Sequence, residues 1–406
     1  MTKRIRPSAA IAVAGLLATA TACSGPPATP PGFAGRHLTA AHGANGAGGG
    51  GGADGGGAFT LLAAGGVLPD TPLIDRAAQD AGGQGFDFRP MLKGTARTVS
   101  EADLALCHME TVYGQQGGPY TGAPSFRSPP ELATALRATG FDSCSTASDH
   151  SLDDGARGVG RTLDVLDAAG IAHAGSARSA AEASRPTLLR AGRGEGAAKV
   201  AHLAYTHGAS DARTPAVQPW AVAPIDRARI IADARRAREG GADVVVVSLD
   251  WGTEWQEAPD DAQRALGRAL TASVTGGRPD IDLILGTAHV PQAYEKVNGT
   301  WIVYGTGNQI TGPAADRDGV PDPRAGESSM GRFTFAPPVR PGERWTVKKA
   351  EFLPQWFDPA AGRVVGLAPA SAEAGPSGGD LRAIRDRIGR VVLSRGAAQD
   401  GLVEGR

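Results

Sequence analysis

An α/β fold is what this chain predicts, and three observations carry that reading. Short apolar runs of strand length alternate with longer amphipathic runs of helical period, which is the pattern of βα units. Each strand-like run stops at polar, ligand-type side chains, and strand ends are where open α/β sheets place their ligands. About 250 residues, from Phe59 to Gly312, separate the first such run from the last, enough for one large core.

The elements follow in order. Phe59-Thr-Leu-Leu-Ala-Ala64 reads as a strand that ends in Gly65-Gly66, and Ala102–Cys107 as one that ends in His108-Met-Glu110. Pro130–Arg137 has the look of a helix leading into the strand Phe141–Ser145, after which Thr146–Gly155 contains Asp149-His150. The run Gly158–Leu163 leads to Gly170–Gly175. In Pro224–Arg238, Ile225, Ile230, Ile231 and Ala234 fall on one side and arginines elsewhere, as in a helix that covers a sheet, with Gly240 or Gly241 to end it. Asp243–Ser248 is a strand followed by Asp250-Trp-Gly252, and Ile281–Leu285 one followed by Gly286-Thr-Ala-His289. Val303–Asn308 is the last motif.

After Gly312 the motifs stop. Pro313–Ser329 reads as a loop, rich in Pro, Asp, Arg and Gly. Gly331–Phe335 and Trp345–Leu353 read as two antiparallel strands extending the same sheet system. Asp380–Leu393 carries Leu381, Ile384, Ile388 and Val391 at helical spacing and reads as a packing helix. The expected organisation is therefore 1–23 export segment, 24–58 tether, 59–312 main domain and 313–406 an extension packed on it.

The export reading rests on Lys3, Arg4 and Arg6 ahead of the small and apolar run Ser8–Ala22, too short to span a bilayer. That run closes on Ala20-Thr-Ala-Cys23, which resembles a bacterial lipobox with Ala in place of Leu and implies a lipid anchor on Cys23 at the outer face of a bacterial cell membrane; an Ala-X-Ala signal peptidase site is the alternative. Ser24–Ala58 has too few large apolar groups for a core and reads as a flexible spacer. Cys107 and Cys144 form either a disulfide, which an exported location permits, or two buried thiols. The formal net charge of −1 offers no basic field, which disfavours nucleic acid as a partner.

Taken together, the five ordered motifs, with Gly140-Phe-Asp142 and Val303-Tyr-Gly-Thr-Gly-Asn308, resemble the CapA family of capsule and poly-γ-glutamate synthesis proteins over Phe59–Gly312. The family's domain is similar to calcineurin-type metallophosphoesterases. The resemblance implies a four-layer α/β/β/α sandwich, two mixed sheets between helices, with a metal site at the strand ends. It also implies a role in poly-γ-glutamate, capsule or other envelope-polymer synthesis, with the polymer or a membrane synthase as partner.

This chain departs from the family pattern at the site. Gly66 stands where the family keeps Asp, His108 and Asp149 where it keeps Asn, and Asp250 where it keeps His; the fifth motif is one residue short and retains only His289. The surviving metal-ligand candidates are Glu110, Asp149, Asp250 and His289. Carboxylates in place of Asn and His make a harder, more anionic site, suited to one Mn²⁺, Mg²⁺ or Ca²⁺ ion rather than to a two-ion clamp. The resemblance makes His150 the general acid and Asp153 the residue that orients it. Asn308 either positions substrate or closes a turn. Any one of these residues alone would more often be a turn cap or a solvated loop residue; only the ordered set points to a site.

Two functional readings follow. One is metal-dependent hydrolysis of a phosphoester or an envelope-polymer bond. The other is a catalytically degenerate surface protein that binds a polymer or assists a synthase, with Trp251, Trp255 and Tyr294 as stacking surfaces unless they merely pack.

Overall fold

The computed structural model describes residues 57–406, apart from 193, 195, 209–217, 313–321, 323, 341–342 and 368–377. The export segment, Cys23, nearly all of the tether and most of the loop after Gly312 lie outside the described residues. No described helix is long and apolar enough to cross a membrane.

The strand Phe59–Leu68 organises the molecule. It pairs parallel with Leu104–Met109 on one side and antiparallel with Glu327–Ala336 on the other, and its far end also takes Asn308–Thr311. A mixed nine-stranded sheet grows from it, running from Arg363–Gly366 through Thr346–Asp358, Glu327–Ala336, Phe59–Leu68, Leu104–Met109 and Ser143–Ser145 to the edge strand Ala172–Ala174. A second sheet has six strands in the order Tyr294–Val297, Thr300–Val303, Leu283–Thr287, Val244–Asp250, Ala198–Thr206 and Thr187–Ala191.

Alternation along the strands builds three apolar layers. Leu62 and Ala64 face the helices Thr71–Asp80, Arg89–Ser100 and Glu131–Thr139 through Leu73, Met91, Leu92, Leu132 and Leu136. Leu61 and Ala63 turn the other way and meet Val244, Val246, Leu283 and Leu285 between the sheets. Val245, Val247 and Leu249 then face the helices Arg227–Glu239 and Asp261–Thr271 through Ile230, Ala234 and Leu270. Helix, sheet, sheet, helix is the four-layer sandwich that the resemblance implies, built on the α/β pattern of the sequence.

Local chemistry explains where the boundaries moved. The helix read from Pro224 starts at Arg227, because the Asp226 side chain caps it by accepting a hydrogen bond from Arg229 N at 2.7 Å. Ile225 instead gives its N–H to the Thr206 carbonyl at 2.8 Å, so it belongs to the strand edge. Glu327–Ser329, expected in a loop, open the strand Glu327–Ala336 in register with Trp356, Gln355 and Pro354, and Glu327 is held there by an ion pair to Arg387. The C-terminal helix spans Gly378–Val392 and delivers Ile388 and Val392 to the layer between the sheets.

Cys107 and Cys144 stand opposite each other on neighbouring parallel strands and are joined as a disulfide, which decides between the two states the sequence left open.

A polar file crosses the otherwise apolar space between the sheets. Ser143 Oγ lies 2.9 Å from His202 Nδ1, and His202 Nε2 lies 2.9 Å from Ser248 Oγ. Beside it His108 Nδ1 is 2.6 Å from Ser145 Oγ. Burial pushes His202 down to about 4 and His108 to about 3, so both rings stay neutral. Their pKa values lie below the unfolded value of 6.5, so the unfolded chain binds protons first as the pH falls. The stability they permit is complete above about 6.5 and is lost progressively towards the folded values. Thermal melts between pH 7 and pH 4 should show this loss, and His202→Gln should flatten it; an unchanged pH dependence in the variant would contradict the assignment.

Candidate functional site

The carboxyl ends of parallel strands from both sheets meet at one place. Glu110 follows Leu104–Met109, Asp149 and His150 lie in the turn after Ser143–Ser145, Asp250 ends Val244–Asp250, and His289 comes two residues after Leu283–Thr287. Asp149, Asp250 and His289 line a cleft of about 110 Å³ together with His207, Glu254, Thr287 and Trp251.

The cleft is electrostatically under-compensated. Glu110 is buried, and burial together with the charges of Asp149 and Asp250 holds its carboxyl well above the usual range. Burial and then Asp149 raise Asp250 to about 7, against the hydrogen bonds it accepts from Thr206 Oγ1 at 2.7 Å and from the Asp149 backbone N–H. Such elevation is what buried carboxylates undergo when crowded together, and the nearby His150 offsets it only in part. His289 is lowered by burial, which favours the neutral ring with the lone pair of one nitrogen free to coordinate.

His150 behaves differently. Burial alone would lower it, but its Nδ1 bonds Asp153 Oδ2 at 2.9 Å, and Asp149, Glu110 and Asp153 add negative charge, so its pKa rises to about 9. Asp153 Oδ2 also accepts from Phe126 N at 2.7 Å, and the Phe126 ring sits edge-on to the imidazole at 4.6 Å. The imidazolium is thus fixed in direction, with Nε2 3.8 Å from Asp149 Oδ2.

Asn308 does not close a turn. It opens the strand Asn308–Thr311 opposite Gly66, is buried, and its Nδ2 has no hydrogen-bond partner. A Cβ built on Gly66 would lie 2.5 Å from Asn308 Oδ1 and 2.6 Å from Glu110 Oε2. The place where the family carries its first carboxylate is therefore filled by two other side chains, and an Asp at 66 would have to displace both. His108 is not part of the cleft; it faces the space between the sheets.

Of the aromatic candidates, two pack. Trp251 stacks on Tyr304 at 5.9 Å and donates Nε1–H to the Tyr304 carbonyl, while Tyr294 is fully buried. Trp255 remains at the site: its backbone takes a left-handed φ of 62° and its ring lies 5.3 Å from His289. Sequence reasoning missed Glu254 and His207. Glu254 stands a few residues past a strand end that was already suspect, so extending the strand-end rule would have found it, whereas His207 follows Ala198–Thr206, a strand the sequence reading did not mark.

The donor types suit one hard divalent ion, since Asp149, Asp250 and Glu254 line the cleft with His207 and His289, Glu110 lies beside them, and a cation would relieve the repulsion among the carboxylates. It does not suit two ions, because the first-motif carboxylate is absent and its place is taken. Among the described residues, no three His, Cys, Asp or Glu side chains are drawn together as a bound ion would require.

A profile described as "Bacterial capsule synthesis protein PGA_cap" matches residues 60–313. The PGA biosynthesis protein CapA of Bacillus subtilis is 28% identical over 181 residues, 44% of this chain and 45% of that protein. A protein of Mycobacterium tuberculosis named as a probable polyglutamine synthesis accessory protein is 28% identical over 233 residues, 53% of this chain and 58% of its own length. The matched region thus spans about half the length of these two curated relatives. Among solved structures, the calcineurin-like phosphoesterase YfkN of Bacillus subtilis is 13% identical with a TM-score of 0.37, covering 82% of this chain and 98% of that chain.

Proposed function

This chain belongs to the bacterial capsule synthesis protein family PGA_cap, and on that premise we propose that it is an exported, lipid-anchored accessory protein of poly-glutamate or other envelope-polymer synthesis whose cleft is a divergent one-ion hydrolase site. The observation that carries the reading is the convergence of Glu110, Asp149 and Asp250 from the ends of three strands, close enough that the charge of Asp149 raises the proton affinity of the other two. Export and anchoring rest on the basic start, the apolar run and Ala20-Thr-Ala-Cys23.

Asp149, Asp250 and His289 would hold one divalent ion, with Glu110 completing the anionic side. Such an ion, when bound, polarises a scissile phosphoryl or carbonyl oxygen and lowers the pKa of a water. His150 is protonated at neutral pH and points Nε2 towards Asp149, so it can donate a proton to a leaving oxygen or nitrogen. Asp153 fixes the tautomer and direction of that ring through Nδ1. Asn308, whose Nδ2 has no hydrogen-bond partner and whose side chain lies with that of Glu110 beside Gly66, would donate to a substrate oxygen.

The test is a hydrolysis screen of the full chain with Mn²⁺ against phosphoesters and poly-γ-glutamate. His150→Gln should lower turnover by about 10²–10⁴-fold, the usual weight of a positioned acid. No turnover with any substrate would instead favour the second reading, a polymer- or synthase-binding protein, which the occupied place beside Gly66 supports.

A further inference from the structure

A second cavity lies apart from the motif cleft and shares no lining residue with it. It measures about 560 Å³, within the roughly 300–1,000 Å³ of small-ligand pockets. It lies where the edge strand Ala172–Ala174 of one sheet approaches Ala198–Thr206 of the other, beside the short helix Ala180–Ala183 and the first turns of Arg227–Glu239. We propose that this cavity is a binding site for a neutral saccharide, separate from the metal cleft and independent of whether that cleft is catalytic.

Three residues with flat rings are among the lining residues. Trp220 is half-buried, Tyr205 is buried with its hydroxyl bonded to Asp233 Oδ2 at 2.9 Å, and His173 is fixed by Asp167 at 3.2 Å. Flat apolar faces with a polar edge suit the C–H face of a sugar ring.

The rest of the lining is charged but balanced. Arg178, Arg185 and Arg229 are matched in number by Asp167, Glu182 and Asp233, and burial keeps His173 on the neutral side. Arg178 is held by Asp164 at 2.7 Å and Asp167 at 2.8 Å as well as by Glu182, and Arg229 lies 3.6 Å from Asp233. An anionic chain would find no surplus of positive charge here. An apolar ligand would leave these groups desolvated and unsatisfied. Ion pairs fixed in place offer both acceptors and remaining N–H donors, the mixed set that a ring of hydroxyls needs.

The full chain should be titrated with chitotriose and maltotriose, read by saturation-transfer NMR and tryptophan fluorescence, with a γ-linked glutamate trimer as the anionic arm. The expected result is saturable binding of at least one neutral trisaccharide, at least tenfold weaker in Trp220→Ala and in Arg185→Ala. The second variant lies at an exposed position and guards against a folding defect in the first. Asp250→Asn should leave this binding unchanged, so its failure and that of the hydrolase reading stay distinguishable. Binding of neither saccharide, binding untouched by both cavity variants, or preference for the glutamate trimer would each overturn the proposal.

Discussion

Asp250→Asn is expected to strengthen the metal-free fold while removing its response to metal. In chelator-treated protein the Asp250 carboxyl titrates near 7 when folded, against an ordinary value of 3.8. Between those values the unfolded chain releases its proton while the folded chain keeps it, so stability falls as the pH rises from about 4 to about 7. Asn keeps the oxygen that accepts from Thr206 and Asp149 but carries no charge. Each pH unit between the folded and the ordinary value is worth about 1.4 kcal/mol, so the variant should gain on the order of 2–4 kcal/mol at pH 8 and nothing below about pH 4. Added Mn²⁺ should raise the melting temperature of the unmodified chain only. A variant less stable than its parent at pH 8 in chelator would show that Asp250 is satisfied by the fold alone.

The second large effect concerns the disulfide. Cys107 and Cys144 close a separation of 37 residues on strands that lead directly to Glu110 and Asp149. Chain-entropy arguments put its contribution at about 3–4 kcal/mol, which corresponds to roughly 5 °C in a domain of this size. The double replacement Cys107→Ala, Cys144→Ala should melt lower by that amount in calorimetry, and reductant should bring the parent down to the same temperature when added during unfolding. Equal melting of variant and parent under oxidising conditions would mean that the bond is not formed in the protein.

Much of the architecture could be read from the sequence because it depends on local periodicity. Val244–Asp250 is apolar on both faces since both are covered, and Gly378–Val392 shows helical spacing since one side is buried. The strand-end residues were legible for the same reason: a polar group ending an apolar run stands out. What depended on register was not legible. Whether Cys107 meets Cys144, whether Asn308 lies beside Gly66, and that His202 bridges Ser143 and Ser248 all follow from which residues pair across strands far apart in sequence. Glu254 and His207 escaped because they sit in loops whose path carries no periodic signal. The fate of Trp251 and Tyr294 likewise turned on tertiary burial, which aromatic character alone does not reveal.

The proposed function turns on its metal: one divalent ion, and not two, would occupy the cleft. Titration of the metal-free full chain with Mn²⁺, with free ion followed by electron paramagnetic resonance and bound ion by elemental analysis, tests it directly. The account predicts one ion per chain, lost in Asp250→Asn. Two tightly held ions, none at all, or one that persists in the variant would contradict it.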